Sequence, residues 1–387
     1  MFDSGLSVLA FLPVAAWIGL LGFRGSFWRA DQMLPAAAPE LAAWPEVVAV
    51  IPARNEAATI GTTVGSLLAQ DYPGDLAVIV VDDMSDDGTA EAAGRDARLT
   101  VIRSQPLQAG WTGKLWAVKQ GLDAADAGHA DAAYVLFTDA DIEHDAESLR
   151  RLVGKAERDG LDLVSLMARL RCDGFWERLL IPAFVFFFQK LYPFPWVNDR
   201  ARTTAAAAGG CMLVRRSALR AIGGVETIRD RLIDDCALAA RVKRQGAIWL
   251  GLAAGVKSLR RYDTLGDVWD MVARTAFEQL GNSSLALVGT VAALAVVYLA
   301  PPLAAVGVLG GGWPSVAAGL AVWWGMMPMA FAPTLRLYGL PAAWGLTLPL
   351  AALLYMLMTL SSAIRTWRGR GGAWKGRQYG AAPAADG

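Results

Sequence analysis

The sequence predicts an α/β domain with a mostly parallel sheet, set between one N-terminal and several C-terminal transmembrane helices. Three observations predict it. Between about Glu46 and Leu259, short β-rich runs alternate with helical patterns, as in strand-helix units built on a parallel sheet. Outside that region, Gly5 to Phe23, Ser283 to Leu335 and Leu337 to Ile364 contain no charged residue. A span needs roughly 20 apolar residues, and a central Asp, Lys or Arg costs about 2.5 to 3.5 kcal/mol on the insertion scale. Finally, several β-rich runs end in aspartates, and open α/β sheets bind ligands outside the carboxyl ends of their strands.

Composition narrows the function classes. The chain has 387 residues, 55% of them hydrophobic, and a formal net charge of zero. Bulk electrostatics therefore argue against a nucleic-acid partner. Cys172, Cys211 and Cys236 stand far apart in no ligand-like spacing, which argues against a zinc site and a disulfide framework. His129 and His144 are too few for a His-rich metal centre and read as surface loop residues.

Taken in order, the first apolar run, Leu6 to Phe23, follows Asp3 and precedes Arg24 and Arg29. A signal peptide carries its positive charge before the apolar core. The positive-inside rule instead puts the amino end outside and the polar middle of the chain in the cytoplasm. Residues 1–30 are thus a transmembrane helix, and 31–45, with Ala36-Ala37-Ala38-Pro39, a linker.

Val47 to Ile51 predicts a strand and Glu56 to Gln70 a helix, closed by Asp71-Tyr72-Pro73-Gly74. Strands are predicted at Ala77 to Val81, Thr100 to Arg103, Tyr134 to Phe137 and Asp162 to Met167, with a helix from about Lys114 to Ala125. In Phe175 to Trp196, four phenylalanines are flanked by Arg178 and Lys190 and interrupted by prolines. This stretch predicts a helix at the membrane interface or facing a lipid entrance, the plainer alternative being a buried core helix. Residues 283–364 hold about three further spans, and 365–387 form a basic, then Ala/Gly-rich tail. Three spans would send that tail outside, whereas Arg365, Arg368, Arg370, Lys375 and Arg377 favour the cytoplasm.

Four clusters carry chemistry. Ile51-Pro52-Ala53-Arg54-Asn55-Glu56 ends the first strand, which sets Asn55 and Glu56 over the ligand crevice, unless Asn55 simply caps the next helix. Asp82-Asp83-Met84-Ser85-Asp86-Asp87-Gly88-Thr89 crowds four mutually repelling carboxylates into one turn. There Asp82 or Asp83 could accept hydrogen bonds from a base or ribose, and Asp86 or Asp87 could cap a helix. Thr138-Asp139-Ala140-Asp141 places two carboxylates at a buried strand's end, suited to a hard divalent cation that also carries substrate phosphates. The alternative is that they begin a turn and cap a helix. Lys114, near a helix start, could add positive charge there. The fourth cluster, Leu232-Ile233-Asp234-Asp235-Cys236, opens a helix and offers a cap or a general base. Upstream, Gly209-Gly210 allows backbone to approach a substrate closely.

In their order and spacing, Pro52 to Glu56, Val81 to Thr89, Thr138 to Asp141 and Asp234-Asp235 resemble family 2 glycosyltransferases of the GT-A fold. With the flanking apolar helices, the whole chain resembles the hopanoid-biosynthesis-associated branch and, more distantly, ceramide glucosyltransferases. The resemblance implies a GT-A domain over 46–280, a nucleotide-sugar donor, typically UDP-linked, and a lipid acceptor such as a hopanoid. It further implies Mg²⁺ or Mn²⁺ held by Asp139 and Asp141, and Asp235, beside Asp234, as the base of a single inverting displacement. Pro52, Asn55, Glu56, Asp82, Asp83, Lys114, Asp139 and Arg274 would meet the donor, with Gly209 and Gly210 on the acceptor side. The implied location is a bacterial-type inner membrane, with several spans and the catalytic domain in the cytoplasm. In one departure, relatives carry Gln-x-x-Arg-Trp after the base, whereas this chain has Met271-Val272-Ala273-Arg274-Thr275, which weighs against processive polymer synthesis. A polysaccharide synthase and a non-catalytic lipid-binding protein are the alternatives.

Overall fold

The computed structural model describes residues 2–371, with side chains from Phe11 onward, and the backbone of 373–374 and 377–378. Helix α1 (Phe2–Phe23) leads through an extended stretch to β1 (Val47–Ala53), α2 (Ile60–Leu68), β2 (Leu76–Asp82) and the single turn α3 (Thr89–Ala92). There follow β3 (Leu99–Arg103), α4 (Gly113–Gly128), β4 (Tyr134–Thr138), β5 (Ile142–His144), α5 (Ser148–Asp159) and β6 (Leu163–Arg169). Helices α6 (Phe175–Leu191) and α7 (Phe194–Asn198) intervene before β7 (Cys211–Arg215), α8 (Arg216–Ala221), α9 (Asp234–Lys243), β8 (Ile248–Ser258) and α10 (Leu265–Ala273). Three helices, Ser284–Ala305, Gly312–Leu337 and Ala342–Trp367, are long and apolar enough to cross a membrane, in line with the expected three. Short strands β9 (Ala373–Trp374) and β10 (Arg377–Gln378) pair beyond them. Of the basic tail, Lys375 lies outside the described residues.

The eight main strands form one sheet in the order β3-β2-β1-β4-β7-β6-β8-β5. Six run in one direction, while β7 pairs antiparallel with β4 and β6, and β5 pairs antiparallel with β8. The sheet is therefore mixed, and the reason is topological. After β6 the chain passes through α6 and α7 and returns to the same end of the sheet, so β7 starts beside the end of β4 and runs antiparallel. Strand β1 is buried at every position, as expected for a central parallel strand covered on both faces. On one face, Gly121 of α4 approaches so closely that a Cβ there would lie 2.4 Å from a Val50 methyl, which fixes how α4 seats on the sheet.

The sheet separates two cores. Val47, Ala49 and Ile51 face the smaller, while Val48 and Val50 face a larger one shared with Leu180 and Phe186 of α6 and with Phe331 and Met358 of the apolar helices. Helix α6 is the hinge of this arrangement. Phe186 stacks 5.2 Å from Phe331, and Phe187 lies 5.2 Å from Tyr355. The stretch expected at a membrane interface is thus largely enclosed by the C-terminal helices, and Pro182 lies inside a continuous, buried helix. Its N-terminus is held by the buried Glu177, which accepts hydrogen bonds from the Asp173, Gly174 and Tyr262 amides at 2.8, 2.9 and 3.0 Å.

His144 corrects the sequence reading. It is buried in β5, with Nε2 3.0 Å from the Thr138 hydroxyl, and burial pushes its pKa down to about 4. His129 is half-exposed at the end of α4, 2.7 Å from Glu46. The three cysteines are free.

Candidate active site

A cavity of about 380 Å³ opens over the carboxyl ends of β1, β4 and β6. Its polar wall carries Pro52, Glu56, Lys114, Asp139, Asp141, Gly209, Gly210, Asp234, Asp235 and Arg274, so topology gathers most of the candidate residues into one place. Asn55, Asp82 and Asp83 do not line it.

The floor is built first by β4. Immediately after Thr138 the chain doubles back into β5, and the Ala140 carbonyl accepts a hydrogen bond from the Thr63 hydroxyl at 2.9 Å, pinning the turn to α2. This leaves Asp139 half-exposed and Asp141 nearly buried, both on the cavity. Lys114 enters from the first turn of α4, whose start is capped by the Thr112 hydroxyl. Its ammonium lies 3.0 Å from Asp139 Oδ1 and 3.2 Å from Asp234 Oδ2. Burial disfavours the charge, but Asp139, Asp234 and Asp235 outweigh it, and the Lys114 pKa is held above its ordinary value. Asp139 is pushed upward by desolvation; Lys114 opposes this while the nearby Asp141 and Asp234 add to it.

Asp141 answers to a different cation. Strand β8 ends at Ser258, where the Leu259 amide donates to the Asp141 carbonyl at 2.7 Å. The Ser258 hydroxyl donates to Asp141 Oδ2 at 3.1 Å, and Arg260 Nε donates to the same oxygen at 3.0 Å. The other arm of Arg260 reaches Glu56 Oε1 at 2.9 Å. Burial opposes the guanidinium charge, but the two carboxylates hold its pKa above its usual value.

Asp235 lies in the first turn of α9, beside Asp234 and close to Lys114. The Gly209 and Cys236 amides donate to its two oxygens at 2.9 and 2.7 Å. Burial and the adjacent Asp234 push its pKa up to about 6, against the pull of Lys114 and the two amides. A carboxylate in this range is poised to exchange a proton near neutral pH. A Cβ at residue 209 would meet Lys114 Nζ at 3.3 Å and Asp235 Oδ2 at 3.4 Å, so glycine keeps the space between them open.

The remaining acidic turn sits behind this wall. Asp82 Oδ1 accepts from the Ser85 amide at 3.2 Å, and Asp87 accepts from the Ala57 and Thr89 amides at 2.9 and 3.0 Å. Asn55, in a left-handed conformation with φ of 51°, laces the same turn by accepting from the Asp86 amide at 3.1 Å. Arg54 connects turn and cavity, since it lines the cavity and donates to the Asp83 carbonyl at 2.5 Å.

Sequence reading missed Arg260, Ser258 and Tyr262, all on the cavity wall. The available signal was the Arg260-Arg261 pair following the Ile248 to Ser258 run. The apolar side of the wall comprises Met167, Leu170, Phe184, Phe188 and Met271.

Among the described residues, no three His, Cys, Asp or Glu side chains gather as a complete cation cage. Magnesium-type sites usually take one or two carboxylates and complete their shell with water and substrate phosphates. Asp139 and Asp141, two like-charged neighbours on one cavity floor, fit that pattern.

Residues 48–223 match the family model described as Glycosyl transferase family 2, so the sheet through β7 carries that domain. A search of curated proteins finds no match. Among solved structures, the chain is similar to the mannosyltransferase PcManGT from Pyrobaculum calidifontis in complex with GDP-Man and Mn²⁺, at 20% identity and a TM-score of 0.53, over 94% of this chain and 99% of that one. It also matches mannosyl-3-phosphoglycerate synthase from Rubrobacter xylanophilus, at 22% identity and a TM-score of 0.41, over 69% of this chain and 82% of that one. At these identities the first likeness shows a shared fold.

Proposed function

We propose that the chain is a membrane-bound, metal-dependent, inverting glycosyltransferase that moves one sugar from a nucleotide donor to a lipid hydroxyl. The family 2 domain supports glycosyl transfer from a nucleotide sugar. One observation carries the detailed reading: a single cavity brings together the Asp139 and Asp141 pair, the raised Asp235 carboxyl and an apolar wall from α6.

In this reading the donor lies along the floor, with its base toward the turn of Asp82 and Asp83 that Arg54 ties to the wall. Asp139 and Asp141 would hold Mg²⁺ or Mn²⁺, with Asp141 as the direct ligand; the Mn²⁺ and GDP-Man of the Pyrobaculum structure support a divalent cation beside the donor. When bound, the cation neutralises charge on the diphosphate leaving group. Lys114 adds positive charge on the same side, and Arg274 faces the leaving group from across the cavity. Asp235 takes the proton from the acceptor hydroxyl as the new glycosidic bond forms and the bond to the diphosphate breaks. Gly209 leaves room for the acceptor, and Phe184 and Phe188 receive its apolar body. The acceptor suggested by the chain's overall resemblance is a hopanoid, met at the cytoplasmic face of an inner membrane.

The test uses full-length protein in detergent with Mg²⁺ or Mn²⁺ and a panel of UDP- and GDP-sugars, with nucleoside diphosphate release as the readout. Release with at least one donor is expected, and none with any donor would sink the reading. Comparing lipids of cells with and without the gene tests the acceptor: one missing glycolipid names it, and an unchanged lipid profile removes the lipid.

A further inference from the structure

The cavity wall made by Arg260, Tyr262, Met271 and Arg274 has another side. Beyond it, a second cavity of about 510 Å³ lies between α10 and the end of the last apolar helix. Arg260, Arg261, Arg274, Arg365 and Arg370 line it, against Asp267 and Asp270. Some of this charge has a local use. Arg365 pairs with Asp270 at 2.7 Å, tying α10 to the helix, and Arg261 pairs with Asp263 at 2.9 Å. Cations also suit a helix C-terminus. Arg260 is held by Asp141 and Glu56, and Arg274 is shared with the first cavity; a surplus still remains, because Arg370 makes no ion pair among the described residues and Asp267 is engaged in capping α10 through Thr264.

The height of this cavity in a bilayer follows from its neighbours. Arg365 lies in the last turn of Ala342–Trp367, and Trp367 at its end is 60% exposed. Exposed tryptophan at the end of a span marks the headgroup level. The chain then turns back at Gly369, with the Arg370 amide donating to the Arg365 carbonyl at 2.9 Å, which places both arginines at one rim. Guanidinium groups match phosphate oxygens with paired hydrogen bonds, and basic pockets between spanning helices take anionic headgroups.

We propose that this second cavity binds the phosphate of an anionic lipid headgroup, beside the sugar-transfer cavity and separated from it by the shared wall. The proposal rests on the three apolar helices being membrane spans, and does not require that the neighbouring cavity transfer sugar.

The test measures binding of short-chain phosphatidic acid, phosphatidylcholine of equal chain length and inorganic phosphate to full-length protein in detergent, by native mass spectrometry. Phosphatidic acid is expected to bind at least about tenfold more tightly than the zwitterionic lipid. The double variant Arg365→Gln, Arg370→Gln is expected to lose about tenfold of that affinity, and the corresponding double lysine variant to recover most of it, with nucleotide-sugar binding unchanged in both. Should the glutamine variant fail to fold, Arg261→Gln at an exposed position gives the same test with a smaller loss. Equal affinity for the two lipids, unchanged affinity in the variants, or inorganic phosphate binding as tightly as phosphatidic acid would each overturn the proposal. A protein that binds phosphatidic acid selectively but uses no nucleotide sugar would retain this site and lose the reading of its neighbour.

Discussion

Two acidic turns flank β1, one after β2 and one after β4, and they satisfy their carboxylates in opposite ways. The turn of Asp82 to Asp87 is satisfied largely from nearby backbone, through the Ser85, Ala57 and Thr89 amides. The turn of Asp139 to Asp141 is satisfied by long cationic side chains from elsewhere, Lys114 from α4 and Arg260, which lies 119 residues along the chain from Asp141. Amides bound in a turn define its shape and stay in place. Side-chain cations compensate a charge and line the cavity beside it. The same sequence signal, clustered aspartates at a strand's end, is therefore held by backbone amides in one place and by side-chain cations along the cavity in the other.

The largest expected effect falls on Asp235, close to Lys114 in that cavity. Asp235→Asn should lower transfer by about 10² to 10⁴ while donor affinity stays within about twofold; an unchanged kcat would move the base elsewhere. Asp141→Ala should weaken metal-supported donor binding by about 10 to 100-fold, measured by titrating Mn²⁺ against a fixed nucleotide sugar, and full metal dependence would give the direct contact to Asp139. Next in size is the pH profile. With Asp235 at about 6, the active base form is lost as pH falls, so initial rates should drop about tenfold per unit below pH 6 and level off above 7. Because the folded value lies above the ordinary carboxylate value, this group favours the folded state at low pH and ceases to do so as pH climbs through about 6. A rate that is flat from pH 5 to 8 would remove Asp235 from the mechanism. The smallest effect concerns the other turn. Asp87→Ala should cost about 1 to 2 kcal/mol of stability, read from denaturant midpoints, with transfer within about twofold. A large loss of transfer without loss of stability would show that Asp87 serves the ligand and not the turn, and the contrast between the two turns would fall.

The elements legible in the sequence were those with strong local signatures. Strand β1 is an unbroken apolar run, and β4 ends in the Asp139 and Asp141 pair, so the fold class and the cavity floor were readable from residues alone. Strand β5 has only three residues, β7 only five, and β8 carries two glycines and two alanines within Ile248 to Ser258, which dilutes any β pattern. Arg260 was invisible for a related reason. Its role depends on β8 pairing with β6 and β5, which carries its end to the end of β4, and no spacing in the sequence encodes that return. His144 was misread because its burial comes from the short strand β5, not from its polar neighbours. The aromatic run of α6 was correctly seen as unusual, but whether it met lipid or protein depended on helices more than 100 residues later.

That last dependence has a consequence for synthesis. The core facing Val48 and Val50 is covered by α4 and α6 and extended by Phe331 and Met358, so the far side of α6 has no cover until the final apolar helices exist. At translation rates of roughly 5 to 20 residues per second, the stretch from β8 to Trp367 takes on the order of 5 to 20 s to make. For that interval the aromatic side of α6, Phe186 and Phe187, waits without Phe331 and Tyr355. The apolar helices thus act late, as the last piece of the interior around α6, and truncating them would leave that helix without its cover.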